Sequence, residues 1–300
     1  MRRLHASGVA LLAVLATVGM PRLCAAQEAT PVPSAEPDRA PAQDQDAAAR
    51  LQAAAANPLA SLISVPFQFN ASTGIGPYHQ FGYSMNVQPV VPLPVGATTT
   101  MIFRTIVPLT YVPELNKNPL VGNVFGLGPV NPQFYFVPKK GGAFTFGPGV
   151  TFLLPTSTNP LVGPNKWAAG PDVAVVAQSA HALYGFIANN LWSFAGSPQG
   201  QNINSFFVQP FYTRNFAHGV GLGATSQITA NWEAPAGQRW TVPIFLNISQ
   251  LQKAGGQPLS VVGGIGWYAV RPQGTATWFV RYQVTLLYPT AAAKEAAAQK

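Results

Sequence analysis

Chemistry in this chain would have to rest on few side chains. Beyond the N-terminal region the histidines are His79, His181 and His218, and between residues 57 and 289 the carboxylates are Glu114, Asp172 and Glu233. A hydrolytic triad needs nucleophile, base and orienting acid within hydrogen-bond reach of one another. His181 and His218 fall where turns are expected on one side of the fold. Only His79 shares the opposite side with Glu114 and Glu233, and their spacing does not bring them together. An enzyme acting on lipid or peptide is therefore the weakest reading. No histidine pair stands at ligand spacing and no acidic loop has calcium periodicity, so neither a metal nor a cofactor is expected. Gly219-Val220-Gly221-Leu222-Gly223 resembles a phosphate-binding loop only in isolation, because no helix pattern follows it. Cys24, the only cysteine, falls in the N-terminal segment, which excludes a disulfide scaffold and thiol chemistry.

The scaffold that must carry these residues is unusual. Charged residues make up 9% of the chain, against roughly 25% in ordinary globular domains. No apolar stretch after the N-terminal segment reaches the ~20 residues of a membrane helix, and 28 glycines with 29 prolines oppose long helices. Residues 1–26 read as a cleavable export signal: Met1-Arg2-Arg3 is basic, Gly8 to Met20 is apolar, and Cys24-Ala25-Ala26 offers small residues before Gln27. Residues 27–56, rich in Ala and Pro, read as a disordered periplasmic linker in which 44–56 could form a short helix. Residues 290–300 read as an Ala-rich tail.

Between 57 and 289 the pattern has period two. Ala276, Trp278, Val280, Tyr282, Val284, Leu286 and Tyr288 form an apolar face opposite Thr275, Thr277, Phe279, Arg281, Gln283 and Thr285. The alternation recurs around 81–91, 144–154, 220–232 and 239–249, and the chain reads as twelve strand segments: 61–70, 80–94, 98–111, 131–138, 143–154, 167–178, 181–194, 203–214, 219–232, 239–251, 258–271 and 275–288. A low-charge exported chain of strand-length segments without a spanning helix satisfies its backbone in lipid only as a closed barrel. The expected fold is thus all-β, a transmembrane antiparallel up-and-down β-barrel of about twelve strands in the bacterial outer membrane. The long gaps 112–130 and 155–166 follow odd strands and should face outward, while the short turns at 95–97, 139–142 and 179–180 should face the periplasm.

Parity then assigns faces. Asn86, Gln88, Arg104, Asp172, Gln227, Asn231, Arg281 and Gln283 are expected to line the lumen. Tyr111, Trp167, Trp232, Trp240, Trp278 and Tyr288, with Trp192 and Tyr268, are expected to form an interfacial aromatic girdle. Ten basic residues stand against three acids between 57 and 289. Export and the barrel pattern set aside nucleic acid as the partner. The lumen arginines either brace a narrow lumen, with Asp172 as a counter-charge, or form an electropositive path that favours anions. The expected partners are outer-membrane lipid, a small-molecule solute and, during biogenesis, the barrel-assembly machinery.

Several phrases carry a family resemblance: Asn57-Pro58-Leu59-Ala60-Ser61-Leu62, Arg104-Thr105-Ile106-Val107-Pro108, Gly126-Leu127-Gly128, Phe152-Leu153-Leu154-Pro155-Thr156, Asn190-Leu191-Trp192-Ser193-Phe194 and Ile228-Thr229-Ala230-Asn231-Trp232. Together, over roughly 57–289, the chain resembles the outer-membrane barrel proteins grouped as transporters of the phenol meta-degradation pathway, some of which carry the label neuromedin U. The resemblance implies a channel for passive passage of small molecules, aromatic or otherwise apolar ones among them, and carries over no catalytic residue. A non-conducting structural barrel is the alternative. The sequence departs from the family pattern at Pro129-Val130, where an acidic residue often follows Gly-Leu-Gly, and at Ile244-Phe245-Leu246, where glycines are expected.

Overall fold

The structure, a computed structural model, describes residues 40–115, 122–139, 142–179, 181–198 and 200–288. The expected signal, the first part of the linker, the tail and Asn118 at the centre of the 112–130 gap lie outside the described residues. No described helix is long and apolar enough to cross a membrane. Helix α1 (Ala40–Ala56) precedes β1 (Ile63–Ile75), β2 (Gln80–Val87 and Val90–Val95), β3 (Thr99–Val112) and β4 (Val124–Leu127 and Asn131–Pro138). Then come β5 (Phe144–Leu153), β6 (Lys166–Gln178), β7 (Ala182–Gly196), β8 (Asn204–Asn215) and β9 (Val220–Thr225 and Ile228–Asn231). β10 (Trp240–Ala254), β11 (Gln257–Val270) and β12 (Trp278–Tyr288) complete the set.

Every strand pairs antiparallel with its sequence neighbours, and β12 returns to β1 in register from Ile63 opposite Tyr288 to Thr73 opposite Trp278. The sheet is a closed twelve-stranded barrel. Closure removes the free edges that lipid would leave unsatisfied. The split strands break at or beside proline, which lacks the ladder N–H. β2 breaks at Gln88-Pro89. β9 breaks at Ser226, whose N–H donates to Pro210 O and whose hydroxyl donates to Pro243 O.

Two expectations about connections need correction. Residues 112–130 are not wholly a loop: Val124–Leu127 extend β4 against Leu109–Val112 of β3. β1 likewise runs on to Ile75. The connections at the end where β1 starts and β12 finishes are 96–98, 139–143, 179–181, 216–219 and 255–256, and those at the other end are 76–79, 113–123, 154–165, 197–203, 232–239 and 271–277. The asymmetry is that of short periplasmic turns and longer outer loops.

The outward faces are apolar and exposed, as at Leu246 (49%), Val280 (54%) and Tyr282 (52%). All six tryptophans lie toward the outer-loop end: Trp167, Trp192, Trp232, Trp240, Trp267 and Trp278. Exposed Phe144, Tyr184, Tyr212 and Tyr288 ring the other end. Trp232 and Trp240 pack edge to face at 5.5 Å, and Tyr111 rests against Tyr83 at 5.8 Å. From Trp278 to Tyr288 the strand takes ten residue steps of ~3.3 Å, which at ~40° tilt rise about 25 Å, the height of an outer-membrane apolar band.

Helix α1 covers the 44–56 stretch that could form a short helix and starts four residues earlier, at Ala40. Its alanines make a slim cylinder. Twelve strands spaced ~4.8 Å apart at ~40° tilt give a backbone radius of about 12 Å, and inward side chains leave room for one helix of ~10 Å diameter. Its C-terminal half packs on the barrel, with Gln52 and Ala53 buried and Ala47 and Arg50 exposed, and this packing supplies the stabilisation that a short isolated helix lacks; composition alone could not reveal it. Gln52 is buried and its Nε2 donates to Ser249 Oγ on β10 (2.8 Å). At the exit, Leu59 N donates to Asn57 Oδ1 (2.9 Å) in a tight turn. Leu59, 5% exposed, enters a cluster with Ile102, Tyr135, Val137, Ala174, Val176, Leu183 and Ile187. β3, β4, β6 and β7 are therefore apolar on part of their inner face, contrary to a uniformly polar lumen, because they grip the plug.

Candidate functional site

The inner face of β12, β1 and β2 carries two polar rows in register. In one, Arg281 stands opposite Asn70, which stands opposite Ser84; in the other, Gln283 stands opposite Gln68, which stands opposite Asn86. Hydrogen bonds run along both. Arg281 Nε donates to Asn70 Oδ1 (2.7 Å) and Asn70 Nδ2 to Ser84 Oγ (3.2 Å). Gln68 Nε2 donates to Gln283 Oε1 (3.1 Å), Asn86 Nδ2 to Gln68 Oε1 (3.2 Å) and Gln283 Nε2 to Thr285 Oγ1 (3.0 Å). Further toward the plug, Arg104 Nη2 donates to the buried Gln88 Oε1 (2.7 Å).

Arg281 also reaches around the wall. Its Nη2 donates to Gln227 Oε1 on β9 (3.0 Å), and its guanidinium lies 4.8 Å from the Phe245 ring centre and 5.4 Å from that of Phe279. These two rings stack at 5.6 Å and 22°. The stack needs bare backbone beneath it: a Cβ on Gly266 would stand 2.3 Å from the Phe279 ring, and one on Gly264 would stand 2.2 Å from Leu246 O. Tyr268 also turns inward, onto Phe279 at 5.4 Å, and does not join the girdle. Tyr268 keeps the inward parity of Gly264 and Gly266, and the register shift between Val242 and Pro243, opposite Val270 and Tyr268, comes only after it.

Asp172, 4% exposed, accepts through Oδ2 from Tyr135 Oη (2.9 Å) and Asn189 Nδ2 (3.4 Å), while its Oδ1 is buried without a hydrogen-bond partner. No described carboxylate lies within ion-pair distance of either lumen arginine, so the expected Asp172 brace is not formed directly. The partners of Arg281 are neutral amides and rings, whereas Arg104, besides Gln88, reaches the Tyr135 hydroxyl that donates to Asp172 and so feels that carboxylate through one intervening group. Asn231 departs from its expected role as well: it is exposed at the outer end of β9 and its Oδ1 accepts from Glu233 N (3.1 Å), closing the turn there.

A chamber of about 210 Å³ remains at mid-lumen. Arg104, Arg281, Gln88, Gln227 and Gln283 line it, and the C-terminal end of α1, Ala54 to Asn57, forms its floor. Sequence parity found the first five. It missed Gln68, Asn70, Asn247 and Phe245, which the same period-two count in β1 and β10 would have placed inward. Among the described residues no hydrogen bond joins His79 to Glu114 or Glu233, and no group of three His, Cys, Asp or Glu residues could hold a metal.

No family model and no curated protein matches the chain. Among solved structures it is similar to an outer membrane channel from Pseudomonas putida F1, at 13% identity and a TM-score of 0.55, over 76% of this chain and 96% of that one. It also matches the NanC porin (9% identity, TM-score 0.48, 76% and 100% covered) and the translocator domain of the autotransporter NalP from Neisseria meningitidis (12%, 0.42, 83% and 96%). At these identities the likeness concerns the fold, which is that of an outer-membrane β-barrel.

Proposed function

We propose that this chain is an outer-membrane channel for passive passage of small solutes, held shut by α1. The carrying observation is the chamber at mid-lumen: the wall's own side chains do not fill the barrel, and the C-terminal end of one slim helix at the N-terminal side of β1 stands across it. Twelve strands suit this reading, since eight are filled by side chains and sixteen leave an open channel. Export through a signal over residues 1–26, and small solute as the partner that enters the lumen, belong to the same proposal. A non-conducting barrel is favoured by the Phe245–Phe279–Arg281 stack, which narrows the lumen above the chamber. Planar-bilayer recording separates the two. The channel reading expects low conductance from the full chain and a large increase when residues 40–56 are deleted. A folded deletion variant that stays silent supports the structural barrel.

A further inference from the structure

We propose that the mid-lumen chamber is a binding site for small carboxylate anions, held by Arg104 and Arg281. As a statement of solute class this rests on the channel reading; as a binding site it stands on the chamber itself.

The chamber has two guanidiniums in its wall and no described aspartate or glutamate. Arginine does not lose its proton in proteins, so both charges persist; amide partners orient Arg281 without neutralising it, while Asp172 beyond Tyr135 offsets part of the charge of Arg104. Arg281 is stacked on Phe245 and Phe279 and tethered to Asn70 and Gln227. Those two bonds use two of its five N–H donors. A fixed, planar and uncompensated guanidinium suits bidentate recognition of a carboxylate. Unpaired charge inside a barrel wall is costly, and a ligand anion removes that cost.

The floor partly offsets the two guanidiniums. The C-terminal end of α1 borders the chamber, and a helix presents about half a negative charge there. In the closed barrel the end of α1 thus occupies a place where anionic character is favoured. A solute anion would compete with it and loosen the plug. The size, about 210 Å³, lies below the roughly 300–1,000 Å³ of pockets for drug-sized ligands, and Phe211 and Phe245 offer ring faces in the same wall. A compact aromatic monoacid matches both features.

The test uses the full chain purified in detergent, with benzoate as probe and benzamide as its uncharged counterpart, at constant ionic strength. Benzoate is expected to shift the thermal unfolding midpoint saturably, and benzamide is not. The shift should vanish in Arg104→Gln and in Arg104→Gln with Arg281→Gln, and persist in Arg104→Lys, which keeps charge but not shape. Equal shifts with both probes, or a shift that survives in Arg104→Gln, overturn the proposal. Reversal potentials in a salt gradient supply the second arm: anion preference in the native channel, lost in Arg104→Gln. Benzoate binding without any conductance would sink the channel reading and leave the site. Conductance with neither anion preference nor benzoate response would sink the site and leave the channel.

Discussion

Replacing Val284 with arginine tests the depth axis of the barrel. Val284 lies opposite Phe67 of β1 and Val261 of β11, on the outward face of β12. It is six residue steps from Trp278 and four from Tyr288. At about 2.5 Å of rise per step for a strand tilted ~40°, that is about 15 Å from the outer girdle and about 10 Å from the inner one, near the membrane midplane. Arginine there should cost roughly 2–4 kcal/mol, a loss of about thirty- to several-hundred-fold in the folded-to-unfolded ratio. Val280→Arg, only about 5 Å from the Trp278 level, should cost about 0–1 kcal/mol because its guanidinium reaches the interface. Gln209→Glu, which sets a carboxylate in the chamber wall that also holds Arg104 and Arg281, should also cost under about 1 kcal/mol. Thr285 would be a poor lumen control, although parity suggested it, because it is buried and accepts from Gln283. Reversible urea unfolding in lipid vesicles, followed by tryptophan fluorescence, reads all three. If Val284→Arg is no worse than Val280→Arg or Gln209→Glu, the outward face of β12 does not meet lipid and the barrel reading fails.

Two further outcomes follow from particular contacts. Gly266→Ala would push a methyl group to 2.3 Å from the Phe279 ring, so it should cost about 1–3 kcal/mol and disturb the stack; a melting temperature equal to the parent's would mean that the rings do not rest on bare backbone. A cysteine at Asn159, in the 154–165 connection, should react with an impermeant thiol reagent on intact cells, whereas one at His218 should react only after the outer membrane is breached. The reverse pattern would invert the topology.

Period two exposed the strands because lipid and lumen demand opposite polarity on alternate residues of β2, β9, β10 and β12. It failed where both faces are apolar. Val173, Ala174, Val175 and Val176 of β6 give no alternation, since one side meets lipid and the other meets Leu59. Nearness to a strand end suggested the girdle for Tyr268, although the count from Gly264 and Gly266 turns it inward. The plug was least legible. An Ala/Gln segment lacks the apolar residues that announce burial, and its place in the lumen depends on a cylinder that exists only once β12 has closed on β1. Phe245 was visible as a departure from the family pattern, but its meaning was not: a ring stands in the lumen where glycines would leave space.

The central claim is that a conducting barrel is closed by α1, and a reversible tether tests it most directly. Gln52→Cys with Ser249→Cys places thiols at two residues whose side chains now meet at 2.8 Å, and the sole native cysteine, Cys24, lies in the segment expected to be removed. The pair is joined by a short reducible bifunctional reagent and conductance is recorded before and after reduction. The account predicts a silent barrel while tethered and stepwise channel openings once the link is cut. Equal conductance in both states, or silence in both although the barrel stays folded after 40–56 are removed, would contradict it.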